Sequence, residues 1–310
     1  MAIVEADALV KQFRGVKVVN NMSLTLKEGT ITGFIGPNGA GKTTTIKMIL
    51  GLLRPDSGKI QVFGQTPWDN PAIRPLIGVV HEKGFFPVHQ KLKEYLERVC
   101  RIFGQPEKRA LEVLKYVELH EAQNKPIKAL SAGMLQKFCI AHALINQPKL
   151  IIADEMTANL DPQARSSLFD LVVKLHREQG TTFFMSSHIL PELNRVCDSV
   201  VIVNQGRVLA QGNLNGIMKE KGTFFVKVAT DKPDALANEL KKHQYVDTAS
   251  LDAKGVIVSI NRSDLGNQVY EDTVLAAKAS NAQLFSIETG NTSIEELYSQ
   301  IVEKNRQGTQ

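Results

Sequence analysis

An eight-residue glycine loop near the N-terminus places the strongest constraint on the fold of this chain. Residues 36–43 read Gly-Pro-Asn-Gly-Ala-Gly-Lys-Thr, which completes the pattern G-x-x-x-x-G-K-[ST]. The β-prone run 31–35 precedes the loop, and residues 42–50 have the composition of a helix. In a strand, glycine loop and helix of this kind, backbone N–H groups and the positive end of the helix converge on phosphate. The pattern therefore predicts a nucleoside triphosphate site.

The chemistry of the loop assigns a role to each of its hydroxyl and ammonium groups. Lys42 is expected to reach the β- and γ-phosphates, Thr43 to bind Mg²⁺ through its hydroxyl, and Thr44 to donate to the α-phosphate. The other residues of the predicted nucleotide site form the loop itself: Gly36, Pro37, Asn38, Gly39, Ala40 and Gly41.

Composition indicates a soluble globular protein of the reducing cytoplasm. The chain has 310 residues, of which 43% are hydrophobic and 22% charged, and no apolar run approaches the ~18 residues of a membrane helix. Its N-terminus lacks the basic start and apolar run of a signal peptide. The three cysteines are widely spaced and show no metal-ligand pattern. Basic residues are scattered despite the net charge of +5, so we expect no nucleic-acid partner.

Hydrophobic periodicity predicts an α/β core that contains a helical insert. Short apolar runs predict strands, most of them covered on both faces, at residues 24–26, 31–35, 59–63, 76–80, 150–153, 181–185 and 199–203. Between residues 91 and 147, apolar positions recur every three or four residues, which indicates helices. A later helix is predicted to start at an Asp161 cap, to carry Pro162 in its first turn and to end at Gly180.

The character of the sequence changes near Gly222. Strands are predicted at residues 223–228, 255–260 and 283–287, and helices at 234–242, 268–279 and 294–304. This small α+β unit contains no phosphate loop, so we expect it to bind or regulate rather than to catalyse.

Two carboxylates follow the predicted strand 150–153. In a parallel sheet, Asp154 and Glu155 would stand at the carboxyl edge beside the phosphate loop. Phosphoryl transfer needs a carboxylate that organises Mg²⁺ and a base that positions water. Asp154 fits the first role and Glu155 the second, although such a run taken alone also fits an ordinary strand end. His188 follows the strand 181–185 and is a candidate γ-phosphate contact or a structural residue.

A second motif connects these elements to a known family. Residues 130–134 read Leu-Ser-Ala-Gly-Met and open an apolar helical stretch just before the Asp154 strand. This motif resembles the LSGGQ signature of ABC-family ATPases, with Ala132 and Met134 as departures. The other family positions follow in order over residues 1–220: an adenine-stacking aromatic at Phe13, a switch-loop residue at Glu82, a D-loop at Leu160-Asp161 and a switch histidine at His188.

The resemblance implies a fold and a complete set of site residues. The fold is a P-loop NTPase core with a parallel sheet, an antiparallel β subdomain and an α-helical insert at about residues 85–147, followed by a small C-terminal α+β domain. The domains are expected at 1–221 and 222–310. ATP and Mg²⁺ are the implied ligands. The implied catalytic residues are Glu155, His188, Lys42 and Glu82, and the implied metal ligands are Thr43, Asp154 and Glu82.

The same resemblance implies the ATP-hydrolysing subunit of a membrane transporter. In this family two copies sandwich two nucleotides, so residues Ser131, Ala132, Gly133 and Met134 would face the nucleotide of a second subunit, and Asp161 would be the D-loop residue. The subunits would dock on integral permease subunits at the inner face of the cell membrane. The segment 82–87 is the expected permease contact, because it places two aromatics beside Pro87; the alternative is that both rings pack into the insert.

Some aspects of the function stay open from sequence. The Glu82-Lys83-Gly84 variant looks most like exporter ATPases, and Glu82 is expected to alter metal or coupling behaviour without causing inactivity. Ala158 stands where a D-loop serine is common, which implies altered communication across the dimer. The alternatives are a soluble ABC ATPase that acts on ribosomes or DNA, and a nucleotide-controlled binding module with little turnover. Phe13 has the further alternative of simple strand packing.

Overall fold

The structure, a computed structural model, is described here for residues 1–82, 84–187, 193, 195–214, 216–217, 224–252, 255–260, 266–291 and 298. The chain divides into two compact units, Met1–Leu214 and Asn215–Gln310. The predicted domain boundary between residues 221 and 222 stays a prediction, because residues 218–223 lie outside the described part of the chain. Across the described residues, no helix has the length and the apolar character needed to cross a bilayer.

The first unit is built from strands that alternate with helices. Its strands are β1 Ala2–Phe13, β2 Val16–Lys27, β3 Ile31–Ile35, β4 Ser57–Val62, β5 Ile77–His81, β6 Leu150–Asp154, β7 Thr182–Ser187, β8 Ser199–Asn204 and β9 Arg207–Asn213. Its helices are α1 Lys42–Ile49, α2 Leu92–Ile102, α3 Lys108–Tyr116, α4 Ala132–Ala143 and α5 Pro162–Gln179.

A six-stranded sheet in the order β5-β6-β7-β3-β8-β9 forms the centre of this unit. Its strands pair in parallel except for the antiparallel pair β8–β9. Every strand predicted for this sheet is confirmed. Strand β9 was missed, because its half-exposed residues at the sheet edge form no continuous apolar run.

A separate antiparallel sheet in the order β2-β1-β4 covers one side of the core. Its apolar side chains pack with those of α1 in one buried cluster that includes Leu9, Met22 and Ile46. Strand β1 was not predicted, and only residues 24–26 of β2 were. The reason is that both strands alternate polar and apolar residues and contain irregular register, with left-handed backbone at Ala8 and Asn21.

The helical insert α2–α4 lies between β5 and β6, as the predicted fold class requires. Helix α4 leads directly into β6, which connects the predicted signature to the carboxylate strand. Helix α5 begins and ends as predicted: Asp161 accepts a hydrogen bond from the Ala164 N–H at 2.8 Å, and Gly180 adopts a φ of 64° at the C-terminus.

The second unit has its own sheet and core. Its elements are β10 Phe224–Thr230, α6 Pro233–Leu240, β11 Val246–Asp252, β12 Gly255–Ile260, α7 Gly266–Ala279 and β13 Leu284–Asn291. The antiparallel sheet has the order β11-β12-β10-β13, a split β-α-β arrangement. The three predicted strands and the helices at 234–242 and 268–279 are confirmed, β11 was missed, and the predicted helix 294–304 lies outside the described residues apart from Tyr298.

Candidate nucleotide site

The glycine loop 36–43 joins β3 to α1 and passes close to neighbouring backbone. A Cβ atom at Gly36 would lie 2.5 Å from the Val203 carbonyl oxygen. At Gly41, a Cβ atom would lie 2.7 Å from the Val18 carbonyl oxygen, and the backbone there has a φ of 96°, in the left-handed region. Both positions therefore require glycine, because any side chain would collide with the neighbouring backbone.

Lys42 stands in the first turn of α1, and its side chain curls back over the loop. The residue is only 6% exposed, and its Nζ donates to the Gly36 carbonyl oxygen at 2.7 Å. The same Nζ lies 3.4 Å from Glu155 Oε1. Next to it, Thr43 is exposed and Thr44 is half-buried. The structure therefore brings the Lys42 ammonium group and the Glu155 carboxylate together, although the two residues lie far apart in the sequence.

Strand β6 ends at Asp154, and Ser186 on strand β7 contacts the carboxylate of Asp154 and the backbone of Glu155. The Ser186 hydroxyl donates to Asp154 Oδ1 at 2.6 Å and accepts a hydrogen bond from the Glu155 N–H at 3.0 Å. Because β7 lies between β6 and β3, both carboxylates stand at the same sheet edge as the loop. This is the placement that the parallel sheet predicted. Sequence reasoning missed Ser186, since a serine inside an apolar strand carries no motif.

Glu82 follows β5 at the same edge and connects two other motifs. Its Oε1 accepts a hydrogen bond from Asn159 Nδ2 at 2.9 Å, and its backbone carbonyl accepts one from Gln136 Nε2 at 2.7 Å. Asn159 belongs to the loop that precedes Asp161, whereas Gln136 is buried on α4. Neither Asn159 nor Gln136 was predicted as a site residue. Gln136 could have been noticed, because a buried amide within an apolar helix needs a hydrogen-bond partner. The role of Glu82 as a metal ligand stays a prediction.

The signature residues form the N-terminus of α4. Ser131 caps the helix by accepting a hydrogen bond from the Met134 N–H at 3.3 Å, and both Ser131 and Ala132 are exposed. A Cβ atom at Gly133 would lie 3.0 Å from the Ala164 Cβ in the first turn of α5. The beginnings of α4 and α5 therefore touch, and the signature presents a helix N-terminus to the outside of the subunit.

The structure describes one of the two remaining candidates. Phe13 ends β1 with its ring 47% exposed, and the Lys11 ammonium lies 5.8 Å from the ring centroid. An open aromatic face is compatible with stacking on a base, which stays a prediction. His188 lies outside the described residues. Strand β7 ends one residue earlier at Ser187, whose register partner is Ile35, the last residue before the glycine loop.

The structure separates the two aromatics of segment 82–87. Phe85 is 94% exposed. Phe86 instead packs against Tyr95, Phe138 and His142, with ring centroids 5.4, 5.1 and 5.9 Å away. The expectation that both rings form one exposed contact is therefore corrected for Phe86. Burial lowers the pKa of His142 and raises the pKa of Tyr95, so both rings stay uncharged near neutral pH and pack as apolar groups.

Sheet topology, glycine loop and inserted helices together define the ATP-binding fold of ABC transporters. Comparison with known proteins agrees: the family model described as "ABC transporter" matches residues 19–158. The uncharacterized ABC transporter ATP-binding protein YcbN of Bacillus subtilis is 31% identical and covers 98% of both chains. The bacitracin transport ATP-binding protein BcrA of Bacillus licheniformis is 35% identical over 76% of this chain and 77% of its own. The chain belongs to the ABC transporter family.

Solved structures give the same result for the fold. The cbiO1 protein of Clostridium perfringens, described as part of the ABC transporter complex cbiONQ, superposes with a TM-score of 0.65 at 28% identity. The match covers 71% of this chain and 92% of that protein. An ATP-binding subunit of an ABC transporter, 31% identical, gives a TM-score of 0.63 over 70% and 92% of the two chains.

Proposed function

We propose that this chain hydrolyses ATP to power a membrane permease, in the export direction, as a homodimer. The observation that carries the catalytic part is the convergence of Lys42 and Glu155, whose Nζ and Oε1 lie 3.4 Å apart above the glycine loop. A buried cation for the phosphates and a carboxylate for water are the two groups that hydrolysis of a phosphoanhydride requires. Transport is supported by the relative named for bacitracin transport, and the export direction by the relative of Ralstonia nicotianae named for Nod factor export, which is 34% identical.

The residues present fit ATP with Mg²⁺. Gly36 and Gly41 let the loop pack directly on the backbone of the neighbouring strands. The loop leads into the first turn of α1, where free N–H groups and the positive end of the helix favour phosphate. Thr43 provides an exposed hydroxyl at the helix N-terminus, and Asp154 provides a carboxylate held by Ser186. A hydroxyl and a carboxylate are oxygen ligands of the kind that Mg²⁺ prefers, and Glu82 is the third candidate. When bound, Mg²⁺ neutralises charge on the phosphate oxygens.

Each of these residues has a defined task during hydrolysis. Lys42 and the loop N–H groups bind the terminal phosphates and stabilise the negative charge on their oxygens. Glu155 orients a water molecule for in-line attack and accepts its proton. His188 is proposed to contact the γ-phosphate, and Phe13 to stack on the adenine. The Gln136–Glu82–Asn159 contacts connect this edge of the sheet to the signature helix and to the loop before Asp161.

A second copy is proposed to complete the site. The sequence carries one glycine loop and one signature, and Ser131 and Ala132 at the N-terminus of α4 are exposed, so a second copy can reach the positive end of this helix. In the dimer, Ser131 and Gly133 of one copy would hold the γ-phosphate of the nucleotide that Lys42 of the other copy binds. Asp161 would stand near the dimer axis.

Steady-state ATPase measurement tests this function against its alternatives. The purified chain is expected to release phosphate from ATP in the presence of Mg²⁺ and not in the presence of EDTA. Tight nucleotide binding with negligible turnover, both alone and with a co-expressed permease, would instead favour a nucleotide-controlled binding module. Stimulation by ribosomes or DNA would favour the soluble ATPase.

Phe85→Ala is expected to weaken association with the permease without changing basal ATPase activity. Phe85 is 94% exposed, and large exposed aromatics of this kind contribute most when a partner buries them. Co-purification with the cognate permease measures the loss. Phe86→Ala is the matched control: because that ring packs inside the insert, its removal should lower the melting temperature instead. Unchanged co-purification of the Phe85 variant would contradict the proposed contact.

A chain that ends at Lys221 is expected to keep nucleotide binding. All described residues of the site belong to the unit Met1–Leu214, and the second unit has a core of its own. Binding of a fluorescent ATP analogue to the folded truncated chain measures this. Complete loss of binding would show that the C-terminal unit contributes directly to the site, contrary to the expectation that it takes no part in nucleotide chemistry.

A further inference from the structure

One hydroxyl group contacts both carboxylate residues of the site. Ser186 lies within β7 directly opposite Asp154 on β6, and it is only 2% exposed. Its Oγ donates to Asp154 Oδ1 at 2.6 Å, and the same Oγ accepts the Glu155 backbone N–H at 3.0 Å. Hydrogen bonds to ionised groups are stronger than neutral ones, and a buried site excludes competing water. The hydroxyl therefore has one fixed orientation, in which its proton points at Asp154.

The contact with Glu155 fixes an unfavourable backbone conformation. Glu155 has a φ of 51°, in the left-handed region that residues with a Cβ atom rarely adopt. The turn it starts is closed by a hydrogen bond from the Ala158 N–H to the Glu155 carbonyl at 3.2 Å. Such a conformation costs free energy and persists where the surroundings hold it. Here the Ser186 hydroxyl holds the N–H, and the resulting turn directs the Glu155 carboxylate toward Lys42.

The contact with Asp154 fixes a side chain. An aspartate at a strand end can rotate its carboxylate, because the torsion of the carboxyl group has a broad energy profile. A short hydrogen bond to Oδ1 removes that freedom and sets the plane of the carboxylate. Partners of this kind commonly govern how well a carboxylate holds a metal ion.

We propose that Ser186 is a positioning residue that aligns the metal-holding carboxylate of Asp154 with the water-activating carboxylate of Glu155. Because both depend on the same hydroxyl, loss of that hydroxyl displaces both together, whereas removal of either carboxylate alone affects one task. The assignment rests on the proposed function of the site. It adds a residue of β7 to a site that otherwise consists of the loop after β3 and the carboxylates at the end of β6.

Four variants of the full chain test the assignment. S186A removes the hydroxyl, S186C fills the space with a group that hydrogen-bonds weakly, and S186T retains a hydroxyl. T182V is the matched control, because Thr182 is a buried residue at the other end of β7 whose Oγ1 accepts the Gly29 N–H at 2.9 Å. The measurements are the binding of a fluorescent ATP analogue as Mg²⁺ is titrated, its binding in EDTA, kcat, and thermal unfolding.

S186A and S186C are expected to raise the Mg²⁺ concentration needed for half-maximal tightening of nucleotide binding by roughly 10-fold or more, and to lower kcat by about 10–100-fold. Binding in EDTA should be unchanged, because Lys42 and the glycine loop remain. S186T and T182V should behave like the wild type in both measurements. If S186A fails to fold, S186C decides the same question.

Two results would overturn the assignment. In the first, S186A and S186C respond to Mg²⁺ and turn over ATP as T182V does, so that the hydroxyl contributes to stability alone. In the second, S186T loses as much as S186A, so that the space and not the hydroxyl matters. A wild-type chain without Mg²⁺-dependent nucleotide binding would refute the proposed function, and the role of Ser186 with it. If the wild type shows Mg²⁺-dependent nucleotide binding and S186A shows the same binding and turnover, only the positioning role of Ser186 is refuted.

Discussion

Glu155→Gln is expected to lower ATP turnover by at least about 100-fold, the typical contribution of a general base. Glutamine has nearly the same shape but does not accept a proton from attacking water. Lys42, Thr43 and Asp154 remain, so nucleotide and Mg²⁺ should still bind. Phosphate release and binding of a fluorescent ATP analogue, measured on the same preparation, separate the two effects. Glu121→Gln is the matched control, because Glu121 is a fully exposed glutamate in the helical insert.

The same variant should accumulate the closed dimer. With the γ-phosphate uncleaved, the Ser131 and Gly133 loop of the partner keeps its ligand, so sizing chromatography with ATP and Mg²⁺ should show a dimer that is absent without nucleotide. A variant that stays monomeric under these conditions, with or without the permease, would contradict the proposed sandwich. Turnover at the wild-type rate would remove Glu155 from the mechanism.

Lys42→Ala is expected to abolish hydrolysis and to weaken nucleotide binding by at least roughly 10-fold, since a hydrogen bond to a charged group contributes about 1.5–3 kcal/mol. The ammonium is buried above the loop, so no bulk water replaces it easily. Its removal also deprives Glu155 of its ion-pair partner. Lys47→Ala on the exposed side of the same helix is the control and should bind nucleotide normally. Equal loss in both variants would indicate damage to α1 rather than to a phosphate contact.

Local sequence patterns predicted the parallel sheet and the placement of its motifs. The strands β3, β6 and β7 are almost entirely buried and mainly apolar, as expected of parallel strands that are covered on both faces, and such runs are readily recognised in a sequence. The cap at Asp161 and the end at Gly180 depend on backbone geometry within a few residues, so these too could be read directly.

The missed elements depend on contacts between distant segments. Strands β1 and β11 alternate or mix polar and apolar residues, so their pairing is decided by their neighbours in the sheet. The separation of Phe85 from Phe86 depends on where α2 and α4 offer an aromatic pocket, which adjacent residues do not encode. Ser186 meets Asp154 only because β7 pairs with β6 in one register, and Gln136 reaches Glu82 only across the insert.

The strand order β5-β6-β7-β3-β8-β9 also determines when the site can exist during synthesis. Both hydrogen-bonding partners of β3 in the central sheet, β7 and β8, are translated after the whole helical insert. Until they emerge from the ribosome, β3 is an apolar strand with two open edges, a known template for aggregation. The complete nucleotide site therefore forms only after β8, which ends at Asn204, has left the ribosome, and the two edges of β3 are not both paired in the central sheet until then.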